Sequence, residues 1–154
     1  MKRLITSLLS LSVLIISLQA QTDTIIRYLN SDFEIPEDQQ TWQSLPIDNS
    51  IKWIYATGGN GYEPPSAYSG TKNALFYWSD NDPFSRTLVS KAIDLSEAKK
   101  PELSFAHAMS ESVFGLDNLI LLFRAGASGT WDTIDKFVTE VPNWTLRTYN
   151  IKDY

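Results

Sequence analysis

The stretch "GLDNLILLFRAGASGTWDTIDKF", from Gly115 to Phe137, decides the fold class. It contains an apolar run, a turn of small residues that includes Gly126 and Gly129, and a second run that begins at Trp131. Glycine supplies the positive φ that tight connections between strands require. The stretch therefore predicts a β-hairpin, and the apolar continuity of Asn118–Ala125 indicates a central strand that is buried on both faces.

Further short runs on both sides of the hairpin have the composition or the alternation of strands. In "PELSFAHAM", which ends at Met109, Leu103, Phe105 and His107 alternate with small residues, so the two sets occupy opposite faces. The other predicted strands are Ile25–Glu34, Ile51–Ala56, Ala74–Trp78, Arg86–Leu95 and Trp144–Ile151. The only helical candidate is "SEAKK", after Leu95. This pattern predicts an all-β fold, an antiparallel sandwich or barrel.

The first twenty residues, "MKRLITSLLSLSVLIISLQA", have the order of a secretory signal peptide. Lys2 and Arg3 precede an apolar stretch, and the small residue Ala20 stands at the expected cleavage site. A membrane-anchoring helix is the alternative, but the apolar stretch is at the short end for a span. We expect residues 1–20 to be removed and the mature chain to be secreted to the cell exterior or the cell surface, with the periplasm as an alternative.

The charge and the cysteine content exclude several classes of function. The chain has 13 Lys and Arg against 18 Asp and Glu, for a formal net charge of −5. Nucleic acids and anionic lipids need cations to neutralise their phosphates, so we expect no nucleic-acid partner and no membrane insertion after signal cleavage. Because cysteine is absent, thiol nucleophiles, thiolate zinc sites and disulfides are excluded.

No catalytic constellation is recognisable. His107 is the only histidine, so any Ser-His-Asp arrangement would need it as the base. Its neighbours on the same strand face, Phe105 and Met109, predict a hydrogen-bonded core histidine instead. The 18 acidic residues allow many carboxylate pairs and so single out none. The glycines of residues 58–61 are not followed by a helix or a P-loop lysine. We predict that the chain is not an enzyme.

Seven segments follow one another in the order typical of one group of secreted modules. They are "DFE" (Asp32–Glu34), Trp53, "PPSAYSGTKNAL" (Pro64–Leu75), "TLVSKAIDLS" (Thr87–Ser96), "PELSFAHA" (Pro101–Ala108), "LDNLILLFRAGASGTWDTI" (Leu116–Ile134) and "NWTLRTYNI" (Asn143–Ile151). In this order they resemble the jelly-roll modules of the MAM-like, cleaved-adhesin and choice-of-anchor group, which are common in secreted proteins of Bacteroidota.

The resemblance implies a jelly-roll β-sandwich at residues 31–154, preceded by the signal peptide and a short N-terminal lead at residues 21–30. Members of the group continue with one or two further strands, so it also implies that the module is truncated at its C-terminus. The chain departs from the group at Lys91, where proline is usual, and at Ala106, where a polar residue often precedes the histidine.

The same resemblance implies a structural calcium ion near the opening strand. Glu34 matches the acidic ligand of that group, and the loop at Ser69 and Gly70 can supply carbonyl oxygens, whereas the Asp of the closing strand is absent. Calcium takes about six to eight oxygen ligands. Glu34 as an ordinary solvated acid is the alternative. A second acidic cluster, Asp80–Asp82, is better explained as an Asx-rich turn before Pro83.

Aromatic residues in loops favour a ligand-binding function. Tyr62 and Tyr68 lie among Gly and Pro in the long loop Thr57–Asn73, and Trp42 lies in a polar, broken segment. Such rings stack on sugars and peptides, although they also fill cores. We therefore expect a non-catalytic adhesion or binding module for an extracellular glycan or protein, within a larger cell-surface protein. The alternatives are an accessory domain of a secreted peptidase or glycoside hydrolase and a small structural envelope protein.

Overall fold

The structure, a computed structural model, describes residues 25–47, 52–59, 61, 63–76, 85–110, 118–152 and 154. The predicted signal peptide, Tyr62 and the acidic cluster Asp80–Asp82 lie outside the described residues. Within the described ranges the chain is all-β apart from one short helix. No helix in those ranges has the length and hydropathy that a membrane span requires.

The elements follow one another in short segments. They are α1 (Pro36–Gln39), β1 (Trp42–Leu45), β2 (Ile54–Ala56), β3 (Asn73–Leu75), β4 (Thr87–Ser90), β5 (Glu102–Met109), β6 (Leu119–Phe123), β7 (Asp132–Phe137) and β8 (Val141–Asn150). The described strands form four antiparallel pairs, β1–β4, β2–β3, β5–β8 and β6–β7.

The β6–β7 pair confirms the predicted hairpin. Leu119 lies opposite Phe137 at its open end, and Phe123 lies opposite Asp132 next to the connecting loop. Within that loop Gly126 has the expected positive φ, 72°, whereas Gly129, for which we also expected one, does not. The local sequence therefore determines this element.

The β5–β8 pair confirms the predicted alternation in β5. Residues directly opposite each other on paired strands project from the same face. The inner face of this pair consists of Leu103, Phe105, His107, Thr145, Arg147 and Tyr149. On the opposite face Ser104 and Thr148 share a hydrogen bond of 2.8 Å between their hydroxyl oxygens.

β7 packs on this inner face through side chains. The Phe137 ring centroid lies 4.2 Å from that of His107 and 6.3 Å from that of Phe105. The Tyr149 hydroxyl donates a hydrogen bond of 2.6 Å to Asp135 Oδ2. Phe137 is the one large apolar side chain that is buried among the residues described. The contact between the β5–β8 pair and β7 is thus the centre of the described core.

The predicted strand Ile25–Glu34 does not form. The Asp38 carboxylate accepts hydrogen bonds from the backbone N–H groups of Asp32 (3.0 Å) and Phe33 (2.6 Å), and Phe33 has a φ of 64°. A side chain that binds nearby backbone groups competes with strand pairing. Pro36 occupies the first turn of α1, where a missing N–H is tolerated, so the segment leads into this helix.

Two other expectations are also wrong. β6 is not buried on both faces, since Ile120 is 45% exposed and β6 pairs only with β7 among the described strands. The helical candidate after Leu95 is a turn, in which the Ala98 N–H donates to the Leu95 carbonyl over 2.9 Å. In addition, β1 lies in a segment where we expected no strand. Its partner β4 is distant in sequence, so no local sequence pattern predicts the pairing.

Candidate functional site

The loop between β2 and β3, residues 57–72 without 60 and 62 in the described ranges, is anchored by several hydrogen bonds. At its base Asn73 is buried, and its side-chain amide binds both backbone groups of Gly58. Gly58 N–H donates to Asn73 Oδ1 over 2.7 Å, and Asn73 Nδ2 donates to the Gly58 carbonyl over 3.2 Å. Gly58 has a φ of 60°, and a Cβ there would overlap the Pro64 carbonyl oxygen. Only glycine fits this position.

Glu34 anchors the C-terminal end of the loop, directly before Asn73. Its Oε1 accepts hydrogen bonds from the backbone N–H groups of Thr71 (2.6 Å) and Lys72 (2.7 Å), and its Oε2 accepts one from the Thr71 hydroxyl (2.7 Å). The bond from the Thr71 hydroxyl, followed by the two backbone bonds, lowers the pKa of Glu34. Gly70 has a φ of 61°, and a Cβ there would overlap Glu34 Oε1. The carboxylate and the loop backbone are therefore in direct contact.

The structure thus brings together Glu34 and Gly70, two of the residues predicted to hold calcium, and the exposed Ser69 adjoins Gly70. The groups that face the carboxylate are N–H and O–H donors, whereas a calcium ion needs oxygen ligands. This arrangement does not fit calcium coordination by Glu34. No cluster of three or more His, Cys, Asp or Glu suited to a metal occurs in the part of the chain that the structure describes. The calcium ion stays a prediction.

Tyr68 lies on the exposed middle of the loop. Its side chain is 54% exposed, and its ring meets that of Trp144 edge to face, with centroids 6.2 Å apart. Trp144 Nε1 donates to the Ser66 carbonyl over 2.7 Å, so the indole is fixed to the loop backbone. The Ser110 hydroxyl donates to the Glu63 carbonyl over 2.6 Å. We call Tyr68 and Trp144 the ring pair.

Sequence reasoning proposed Tyr68 but not Trp144 as a binding residue. Trp144 lies in β8, and the alternation of "WTLRTYNI" indicated a strand residue, which it is. Its contact with a loop more than seventy residues earlier in the chain leaves no local signal. The one available signal was a Trp in the first half of the strand, directly after Pro142 and Asn143.

Trp42, the other described ring that we predicted to bind a ligand, lies in a separate packing cluster. Its ring centroid is 5.7 Å from that of Phe33, and Phe33 in turn stacks on Tyr55 at 5.5 Å. Trp42 Nε1 donates to the Ser31 hydroxyl over 2.7 Å, so its polar edge is also occupied. Trp42 therefore joins the N-terminal segment to β1, and Phe33 joins it to β2. Among the described residues, Tyr68 is the predicted ring that stays open.

His107 is buried, which confirms its predicted place in the core. Its Nε2 accepts a hydrogen bond of 3.3 Å from Arg147 Nε, and its ring packs on Phe137. Burial, followed by the charge of Arg147, lowers the pKa of His107. In the described part of the chain, no hydrogen bond joins this imidazole to a serine hydroxyl or to a carboxylate.

The comparisons with known proteins add no relative. No protein-family model matches the chain, and neither the curated proteins nor the solved structures contain a significant match. The likeness to the MAM-like and cleaved-adhesin modules therefore stays a resemblance in the order of short motifs.

Proposed function

We propose that the chain is an extracellular, non-catalytic binding module whose ring pair contacts a neutral glycan. The observation that carries the proposal is the ring pair itself. Tyr68 is half exposed although it lies on a loop that is held by hydrogen bonds at both ends and by Trp144 in the middle. A surface that is already ordered loses little conformational entropy when it binds, so more of the contact energy appears as affinity.

The chemistry of the surface favours a sugar. Aromatic rings offer an apolar face to the C–H groups of a pyranose, and the Tyr68 hydroxyl can exchange hydrogen bonds with its hydroxyls. The chain carries a formal net charge of −5, which disfavours acidic polysaccharides. A neutral oligosaccharide is therefore the ligand we propose, and a protein ligand is the alternative that the experiment below distinguishes.

We also propose that the strand pairs belong to a jelly-roll sandwich. Antiparallel pairing throughout the described strands and the side-chain contact of β7 with the inner face of β5–β8 support two packed layers. In such a sandwich the loops at one end form the usual ligand surface. A module of this kind serves adhesion within a larger surface protein.

The test is a screen of the purified protein against an array of neutral oligosaccharides, followed by calorimetry on the best binder. Tyr68→Ala should weaken the affinity about tenfold, which corresponds to about 1.4 kcal/mol. The matched control is Trp131→Ala. Trp131 is 41% exposed, but it lies next to the hairpin loop, where Arg124 stacks on its ring at 4.5 Å. Its removal should leave the affinity unchanged.

Two results would overturn the glycan proposal. Equal losses of affinity for Tyr68→Ala and Trp131→Ala would mean that the glycans bind exposed aromatic rings without specificity for the ring pair. Failure of every neutral glycan, together with peptide binding that Tyr68→Ala abolishes, would assign the ring pair to a protein ligand.

A further inference from the structure

The single histidine occupies an unusual place. His107 is only 4% exposed, and it lies between the β5–β8 pair and β7. Its ring contacts Phe137 at 4.2 Å and its own strand neighbour Phe105 at 5.9 Å. A change in the charge of His107 therefore changes the interactions at the centre of the described core.

The hydrogen bond with Arg147 fixes the protonation state of this imidazole. A guanidinium can only donate, so the Nε2 that accepts from Arg147 Nε at 3.3 Å must carry a lone pair. The proton of the neutral ring is then on Nδ1. That atom is buried and has no hydrogen-bond partner among the residues described. This hydrogen bond thus requires neutral His107, whose single ring N–H, at Nδ1, is unsatisfied among the described residues.

The charged groups around the ring come from both neighbouring strands. β8 contributes Arg147, while Thr145 lies opposite His107 in the register. β7 contributes Asp135, whose carboxylate accepts hydrogen bonds from the Tyr149 hydroxyl at 2.6 Å and from the Lys136 N–H at 2.7 Å. The negative charge of Asp135 favours protonation of His107, but burial and the charge of Arg147 act against it and prevail.

We infer that the contact between β7 and the β5–β8 pair is acid-sensitive, with His107 as its sensor. A proton added at Nε2 removes the acceptor of the Arg147 hydrogen bond and places a second cation beside the guanidinium. The buried imidazolium then carries two N–H donors without an acceptor among the described residues, which weakens the interface. This property goes beyond the proposed glycan binding and does not depend on it.

The sign of the pH dependence follows from linkage. In the unfolded chain His107 takes up its proton near its ordinary pKa of about 6.5. In the folded chain it does so only at a lower pH. Between these two values the unfolded state binds more protons, so stability falls as the pH falls. The stabilisation is complete above about pH 6.5 and is lost progressively below it.

The experiment is a series of thermal unfolding curves between pH 8 and pH 5 for the wild type and His107→Gln. The wild-type Tm should fall by at least about 3 °C across this range. Glutamine stays neutral and its side-chain oxygen can accept from Arg147, so the variant curve should be flatter. Arg124→Gln, which removes a cation that stacks on Trp131, is the matched control and should follow the wild type. Parallel curves for the wild type and His107→Gln would overturn the inference.

A second readout does not require a folded variant. Because the chain has one histidine, its imidazole gives one set of C–H signals in the NMR spectrum of the wild type. These signals should titrate below the ordinary range. Over the same pH interval the protection of the β7 amides against exchange, corrected for the intrinsic pH dependence of the exchange rate, should decrease. Titration near pH 6.5 with unchanged protection of the β7 amides would contradict the acid-sensitive contact.

Discussion

At the scale of single residues, a few polar side chains hold the long loop between β2 and β3 in place. Asn73 binds both backbone groups of Gly58, near the N-terminal end of the loop, and the Glu34 carboxylate binds Thr71 and Lys72 at its C-terminal end. Tyr68 lies between these two anchors. The loop is thus ordered by directional hydrogen bonds, which fix its backbone although few of its side chains are buried.

Asn73→Ala tests the inner anchor. The change leaves the N–H and the carbonyl of Gly58 unpaired in a buried place, which should cost about 1–3 kcal/mol in the free energy of unfolding. Urea denaturation measures this loss. Asn118→Ala, at an exposed position before β6, is the control and should change the free energy by less than about 0.5 kcal/mol. Equal effects of the two substitutions would refute the anchoring role of Asn73.

Glu34→Gln tests the outer anchor and the calcium prediction together. The amide replaces one acceptor oxygen by an NH₂ group that faces the Thr71 and Lys72 donors, so the variant should have a lower Tm at pH 7. Because the pKa of Glu34 is lowered, its contribution is complete above the ordinary pKa of glutamate and is lost as the pH falls through the folded value. The difference in Tm between wild type and variant should therefore narrow in acid.

The same samples distinguish hydrogen bonding from metal binding. If Glu34 acts through Thr71 and Lys72, a calcium chelator leaves the Tm of both proteins unchanged. A chelator that lowers the Tm of the wild type alone would establish the structural calcium ion that the sequence resemblance implies.

At the scale of elements, the hairpin β6–β7 and the alternation in β5 could be predicted because their signals are local. A glycine-containing turn between two strand-like runs determines a hairpin, and a period of two determines which residues of β5 share a face. β1 could not be predicted, since its pairing with β4 joins distant segments. The segment before α1 was misassigned because its strand-like composition is overridden by one capping carboxylate, that of Asp38.

The candidate site, like the strands, could be predicted only in part from the sequence. Tyr68 was identified because Gly and Pro around it predicted an exposed loop. The motif resemblance identified Glu34 and Gly70 as neighbours. It did not predict that the Glu34 carboxylate accepts hydrogen bonds from the loop beside Gly70. Trp144 was missed because its relation to Ser66 exists only in the folded chain.

Phe137→Ala tests the packing of β7 on the β5–β8 pair. The change removes the ring that contacts His107 and Phe105, and it should cost about 3 kcal/mol in the free energy of unfolding. Phe123→Ala, in half-buried β6 next to Tyr154, is the matched control and should cost clearly less. Denaturant titration measures both. A larger loss for Phe123→Ala would place the centre of the core elsewhere.

At the scale of the whole molecule, the described chain consists of strand pairs that side chains join. With no cysteine and with Phe137 as the one buried large apolar side chain in the described ranges, stability there depends on a small core and on polar anchors. The two features have different consequences. The His107 contact makes the core sensitive to acid, while the anchored loop keeps the ring pair ordered for a ligand.

The most direct measurement is an NMR titration of the indole N–H signals with the neutral oligosaccharide that binds best. The chain has five tryptophans, so each indole can be followed separately. The account predicts that the Trp144 signal shifts with a saturable dependence on ligand, and that the Trp131 signal does not move. Saturable binding that shifts Trp131 and leaves Trp144 unchanged would contradict the claim that the ring pair is the ligand surface.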